Sequence, residues 1–243
     1  MKRSLAGLFL FVLGLNAQIY RTYVYVSTPL NWTQAYKYCK TYYTDLSAIT
    51  SQEQNQQMLA SSGVGFDKAW IGLHKTTGKP NSLAWTTEES FIFTKLYNID
   101  KVYSCAYATE TEWYMAYCLN VLPFFCHIDY YLWLVTANMA WEDALDFCRH
   151  WYTDLASSTD QYQWEILQDR SKASTTESVW TGLRFLEGEW YWVSITFTYI
   201  PFRTWMPSCP EEPYRCGALN NQTAQWEIRD CEEKLNFFCY QLK

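Results

Sequence analysis

One unit occurs twice in this chain, and each occurrence carries four cysteines in the same places. Asn31 to Leu59 aligns with Ala140 to Leu167: Trp32 with Trp141, Ala35 with Ala144, Cys39 with Cys148, and Asp45-Leu46 with Asp154-Leu155, all at an offset of 109. Trp70-Ile71-Gly72-Leu73 answers Trp180-Thr181-Gly182-Leu183 at offset 110, and Cys118 and Cys126 answer Cys231 and Cys239 at 113. The growing offset places small insertions in the loops of the second copy. An internal repeat of this kind predicts two domains, residues 18–126 and 127–243, joined through "CHIDYY" with almost no linker.

Each copy opens with a short aromatic strand, "TYVYV" or "YYLWLV". Trp32, Ala35, Cys39, Tyr42 and Leu46 then step by three and four, as do Trp141, Ala144, Cys148, Trp151 and Leu155, which predicts a helix with one apolar stripe facing a core. Ser51 with Gln54, and Asp160 with Gln163, read as capping boxes that start a second helix. After "WIGL" or "WTGL" the pattern turns to strands: "SLAWTT", "YMAYCLNV", "EWYWVS" and "LNFFCYQ" are short, aromatic and alternating. Two helices followed by short antiparallel strands predict an α+β fold for each copy.

Lys2 and Arg3 precede a ten-residue apolar run, Ala6 to Leu15, and Ala17 is small. Residues 1–17 read as a secretory signal peptide, too short to span a bilayer. No later stretch is long enough to cross one, so the expected product is secreted and extracellular, where cysteines pair rather than bind metal. With 49% apolar and 18% charged residues the chain is not disordered. Its net charge of −6 speaks against nucleic acid and against anionic membrane surfaces as partners.

Four cysteines allow three pairings per copy, and spacing alone leaves them open. The Trp-x-x-Ala-x-x-x-Cys helix, the Asp-Leu pair, WIGL or WTGL, the later tryptophans Trp85, Trp190 and Trp192, and the closing Cys-x7-Cys resemble the C-type lectin-like domain, twice in tandem over essentially the whole mature chain. The resemblance implies Cys39–Cys126 and Cys105–Cys118 in copy one, and Cys148–Cys239 and Cys216–Cys231 in copy two. Cys209 is left over. It is read as an interchain disulfide in a homodimer, as a free or capped thiol, or as a partner for Cys216 in place of Cys231.

The resemblance also implies carbohydrate or glycoprotein ligands, with innate immune recognition as the suggested setting. In members that bind sugar through calcium, a Trp-Asn-Asp triplet and a Glu-Pro-Asn or Gln-Pro-Asp triplet supply hard oxygens. Here the first becomes Trp113-Tyr114-Met115 and Trp226-Glu227-Ile228, and the second falls at Cys209-Pro210-Glu211. Neither survives, so no metal or other cofactor is expected. The contacts are assigned instead to copy two: Arg203, Trp205, Glu211, Glu212, Tyr214, Glu227 and Arg229. The alternative is a protein-partner or structural module, inhibitor-like or receptor-like, that binds no sugar. No enzyme is expected: His74, His127 and His150 have no partner at metal spacing, and Gly-x-Ser-x-Gly is missing. Asn31-Trp32-Thr33 and Asn221-Gln222-Thr223 are sequons; Asn31 competes as a helix cap.

Overall fold

The computed structural model describes residues 18–63, 65–76, 82–97, 102–193, 200–201 and 209–243. Copy one runs β1 (Ile19–Leu30), α1 (Trp32–Tyr42), β2 (Asp45–Leu46), α2 (Gln52–Ala60), β3 (Ala69–Lys75), β4 (Leu83–Ala84), β5 (Cys105–Ala108) and β6 (Trp113–Ala116). An 18-residue strand follows, β7 (Leu122–Met139). Copy two continues with α3 (Trp141–Trp151), β8 (Asp154–Leu155), α4 (Gln161–Ser171), β9 (Ser178–Leu186), β10 (Glu189–Trp192), β11 (Ile200–Pro201), β12 (Cys216–Asn220), β13 (Trp226–Arg229) and β14 (Leu235–Leu242). The class is α+β in both copies.

β7 closes copy one and opens copy two. Its first half pairs antiparallel with β1, from Val26↔Phe124 to Ile19↔Tyr131. Its second half pairs antiparallel with β14, from Leu242↔Tyr130 to Leu235↔Met139. At Tyr130 and Tyr131 the strand is laddered on both edges at once. "CHIDYY", which reads as a join between two strands, is therefore the middle of one, and a single hydrogen-bonded sheet passes through both copies.

The repeat is carried by identical bonds. Trp32 Nε1 donates to Ile71 O at 2.9 Å and Trp141 Nε1 to Thr181 O at 2.8 Å. Trp70 Nε1 donates to Leu30 O and Trp180 Nε1 to Met139 O, both at 3.0 Å. These bonds let bulky indoles be buried without an unpaired N–H. Asp45 and Asp154 are buried; each carboxylate accepts the following residue's amide and faces a cation of the first helix, Lys40 or Arg149. Gly72 and Gly182 lie against the backbone of the preceding loop, whose carbonyls of Ser47 and Ala156 accept their amides. A Cβ on Gly72 would come within 2.7 Å of Leu46 O, which is why the third residue of WIGL is glycine.

The four disulfides are Cys39–Cys126, Cys105–Cys118, Cys148–Cys239 and Cys216–Cys231. The long ones join residues 87 and 91 apart, and each removes about 4 kcal/mol of unfolded-chain entropy in the loop-closure account.

Several local expectations change. The helical stripe stops one turn early: Tyr42 is 66% and Trp151 56% exposed, because α1 and α3 end at those residues and the chain turns away. Leu46 and Leu155 reach the core from β2 and β8 instead. Of "SLAWTT" only Leu83–Ala84 forms a strand. Ser51 and Asp160 cap their helices, but Gln54 and Gln163 reach back one residue further, accepting from the amides of Thr50 and Thr159. The complete capping box belongs to Asn31 and Gln34.

A buried ionic knot sits where β1 crosses β7. Arg21 donates to Asp129 Oδ1 at 2.7 Å and Oδ2 at 2.8 Å, to Ala48 O at 3.0 Å, and to both oxygens of Glu89. Arg21 and Asp129 are buried, so truncating either alone should cost about 3–5 kcal/mol by stranding the other's charge. His127 lies beside them, wholly buried. Burial and then the Arg21 charge hold its pKa well below the usual 6.5. Burial alone would raise Glu89, but its hydrogen bonds and charge contact with Arg21 overcome this and leave it below 4.5.

The sign of the pH effect follows. Below pH 6.5 the unfolded chain binds a proton at His127 that the folded chain refuses. The stability from neutral His127 is therefore complete above 6.5 and falls as pH drops toward the folded value, by up to about 1.4 kcal/mol per unit. Glu89 adds a further loss below 4.5. We expect the melting temperature to fall by a few degrees from pH 7 to pH 5.5, and the fall to shrink in His127→Asn. A pH-independent melting temperature over that range would contradict this account.

Candidate functional site

The place of the lost triplet in copy two is β13, paired antiparallel with β12, which in turn pairs with β9. Strand alternation sends Trp226 into the core, where it meets Trp192 edge-on at 5.2 Å, with Ile228 packed against the same cluster. Glu227 and Arg229 point to the opposite face. There Glu227 is fully engaged: Ser178 Oγ donates to Oε2 at 2.6 Å, Arg229 Nε to Oε2 at 3.1 Å, and Asn220 Nδ2 to Oε1 at 2.9 Å. Arg229 also donates to Ser178 Oγ at 2.7 Å and to Glu233 at 3.3 Å. A hard cation needs several free oxygens together. Here the one carboxylate that follows the tryptophan already has a cation and two neutral donors, and the next side chain is hydrocarbon. Among the described residues, no three His, Cys, Asp or Glu side chains converge as a metal site.

The other residues assigned to copy two form a separate group. Glu211, Glu212 and Tyr214 are exposed on the turn before Cys216; Tyr214 N–H donates to Glu211 O, and Glu212 pairs with Arg215. Arg215 lies 5.8 Å from the Phe185 ring, and Phe185 N–H donates to Arg215 O. Arg203 and Trp205 lie outside the described residues. Cys209 is exposed and unpaired. Asn31 Oδ1 caps α1, and Asn221 Nδ2 donates to Thr176 O at 2.9 Å.

The same face of copy one is built differently. Trp113 is buried against Trp85 and Phe93. Tyr114, in the register position of Glu227, pairs across the ladder with Tyr107, which pairs with Trp70. The Tyr107 and Tyr114 rings are 5.6 Å apart and 23° from parallel, and Tyr97 continues the row 5.7 Å from Tyr114 at 32°. Lys68 Nζ is 5.9 Å from the Tyr107 ring, and Tyr114 Oη donates to Glu112 at 2.9 Å. Where copy one has Lys68, Tyr107 and Tyr114, copy two has Ser178, Ala218 and Glu227. Sequence reasoning missed this row, because its members lie in three separate segments: the pairing of β5 with β6 sets Tyr107 beside Tyr114, and the bridge of Leu96 to Trp113, with Tyr97 N–H donating to Trp113 O, brings in Tyr97.

Two disulfide-closed α+β units with matching tryptophan bonds and diverged sheet faces define a tandem, disulfide-bonded α+β protein. A model of the lectin C-type domain matches residues 28–128 and again 137–241, and the chain belongs to that family, with two C-type lectin-like domains in tandem. Proteins of this family are generally non-enzymatic binding modules. The chain is 23% identical to lymphocyte antigen 75 of Homo sapiens over 87% of its own length and 14% of that protein's, and 28% identical to L-selectin of Bos taurus over 53% and 36%. It thus spans well under two thirds of the curated relatives it matches. Among solved structures, human lithostathine is similar at a TM-score of 0.41 and 21% identity, covering 47% of this chain and 92% of that one. The cow CD23 carbohydrate-recognition domain, solved with a GlcNAc2Man3 oligosaccharide, gives 0.39 and 20% over 47% and 88%.

Because Glu227 is already bonded, millimolar calcium should leave the melting temperature unchanged. A ligand at a hundred times its dissociation constant would add about 2.7 kcal/mol. A rise of several degrees, reversed by chelator and abolished in Glu227→Gln or Glu211→Gln, would contradict this reading.

Proposed function

We propose that this chain is a secreted recognition protein that binds glycan or glycoprotein ligands without calcium at the position its family commonly uses. The observation that carries the reading is the closed Glu227–Arg229–Ser178–Asn220 cluster, where a calcium-bridged sugar would need free oxygens. The exposed Glu211, Glu212 and Tyr214 of copy two, with Arg203 and Trp205, supply contacts, and Glu227 and Arg229 add only the accessible edge of their ion pair, Arg and aromatic side chains being the usual anchors of such surfaces. The four disulfides fit an extracellular setting. No helix of the described residues is long and apolar enough to cross a membrane. Residues 1–17 act as the leader in this reading, residues 18–126 and 127–243 are its two domains, and innate immune recognition is its setting. Asn221 carries a glycan once its amide is freed from Thr176, and Asn31 is a second acceptor.

Cys209 extends the proposal to quaternary structure: exposed, on the secretory route, it links two chains across a two-fold axis. Non-reducing electrophoresis should show a band near twice the monomer mass that collapses on reduction and is missing in Cys209→Ser. A monomer band under both conditions removes the covalent dimer.

A glycan array with and without chelator tests the function. Signal that survives chelator, and weakens about tenfold in Tyr214→Ala (about 1.4 kcal/mol), is the expected result. Silence on the array together with capture of a protein partner would replace this reading with the protein-binding one.

A further inference from the structure

Arg184 and His74 occupy one register position in the two copies and bring different chemistry to it. Arg184 of β9 pairs across the ladder with Cys216, as His74 of β3 does with Cys105. Each lies on the tryptophan that opens its copy's first helix: the Arg184 guanidinium carbon is 5.0 Å from the Trp141 ring, and the His74 ring is 5.3 Å from that of Trp32. In copy two the guanidinium Nη1 donates to both sulfurs of Cys216–Cys231, while Nη2 pairs with Glu142 Oε1 at 3.1 Å. The ring and the ion pair thus hold a permanent positive charge against a disulfide. The Glu142 side chain is 61% exposed and screened by water, against 19% for Arg184, so the carboxylate does not cancel that charge at the sulfurs.

A disulfide is reduced when a thiolate attacks one sulfur and the other leaves as a thiolate, and the step is faster the better the leaving thiolate is stabilised. A neighbouring arginine supplies that stabilisation. Cys216 is fully buried and Cys231 half-buried, so Cys231 Sγ is the sulfur an incoming thiol can reach and Cys216 Sγ is the one that leaves. Copy one has the same exposure pattern, with Cys105 buried and Cys118 half-buried, but a histidine in place of the guanidinium. The approach differs as well. Cys231 stands between Asp230 and Glu232, whereas Cys118 stands between Tyr117 and Leu119. Carboxylates repel an anionic thiol and draw in one that carries an ammonium group.

We propose that Cys216–Cys231 is a redox site, opened by small cationic aminothiols while Cys105–Cys118 and the two long, buried disulfides stay closed. An aminothiolate bonds to Cys231 Sγ, the Cys216–Cys231 bond breaks, and its electron pair stays on Cys216 Sγ beside Arg184. A second aminothiolate then bonds to the sulfur of the first and releases it as the aminothiol disulfide. Cys231 leaves in that step as a thiolate and takes a proton from solvent. Two electrons pass from the aminothiols to the protein, and no other reactant is needed. Opening frees the base of the β12–β13 hairpin, which carries Glu227 and Arg229.

Timed reduction of the native chain at pH 8, with alkylation of the new thiols and mass spectrometry of the peptides, tests this; a Cys209→Ser background removes the competing thiol. Under cysteamine, Cys216–Cys231 should open at least tenfold faster than Cys105–Cys118. The ratio of the two rates should fall at least threefold under 3-mercaptopropionate, and taking it within one reaction cancels the reductant's own reactivity. Arg184→His, which gives copy two the residue of copy one, should slow the opening of Cys216–Cys231 at least fivefold. Arg184→Lys, which keeps the charge, should stay within threefold of the parent. A variant that merely loosens the fold opens faster, so slowing cannot come from misfolding. Equal rates for the two short disulfides, an equal ratio under both reductants, or Arg184→His opening as fast as the parent or faster would each overturn the proposal.

Discussion

A strand laddered on both edges cannot bend at its centre without breaking backbone bonds on two sides, and β7 is such a strand where the copies meet. Tyr130 and Tyr131 face β1 on one side and β14 on the other. Tyr20 of β1 packs into the core of copy two, with Arg170 of α4 over its ring. The knot of Arg21, Asp129 and Glu89 fastens β1 to β7 just before this point and ties in the loop after Trp85. Both long disulfides hang on the same framework: Cys126 lies in β7, and Cys239 in β14 opposite Trp133 of β7. The relation of the two copies is thereby fixed by backbone hydrogen bonds rather than by a linker.

Within that frame the copies keep their interiors and change their outer faces. Trp70 and Trp180 make the same indole bond, Asp45 and Asp154 the same amide bond, and Gly72 and Gly182 donate the same amide bond to the preceding loop. These positions decide whether the unit folds. The residues one step out of phase on β6 and β13 are under no such demand. There copy one has tyrosine rings and copy two a self-neutralised group of Glu227, Arg229, Ser178 and Asn220. The cluster is partly exposed, with side chains of Glu227 and Arg229 near 30% accessible, so it adds about 0–1 kcal/mol to stability. Its consequence is chemical: it removes free oxygens from the place where a cation would need them.

The duplication, the class of fold and the first helix of each copy are legible in the sequence, because cysteines, tryptophans and the Asp-Leu pair are bulky or buried enough to keep strict spacing. The disulfide pairing was open from spacing alone and came with the family resemblance. The unity of β7 was not legible: "CHIDYY" contains the end of one repeat and the start of the next, and strand continuation leaves no mark beyond the want of Gly, Pro or Asn between Cys126 and Val135. Helical period places Tyr42 and Trp151 in the core stripe because it says nothing of where a helix stops. The bonding of Glu227 by Arg229 needed the third dimension, since Ser178 and Asn220 arrive from other strands. The row from Tyr97 to Tyr107 was hidden for the same reason.

The continuous strand is tested most directly by native-state amide hydrogen exchange across Leu122–Met139. Amides of Cys126 to Leu132 that bond to β1 or β14 should be as protected as those of Phe124 and Leu134 on either side, opening only with the core. A run of fast-exchanging amides between Cys126 and Leu132, with slow exchange on both flanks, would mean that the two copies meet at a hinge and would contradict the shared strand.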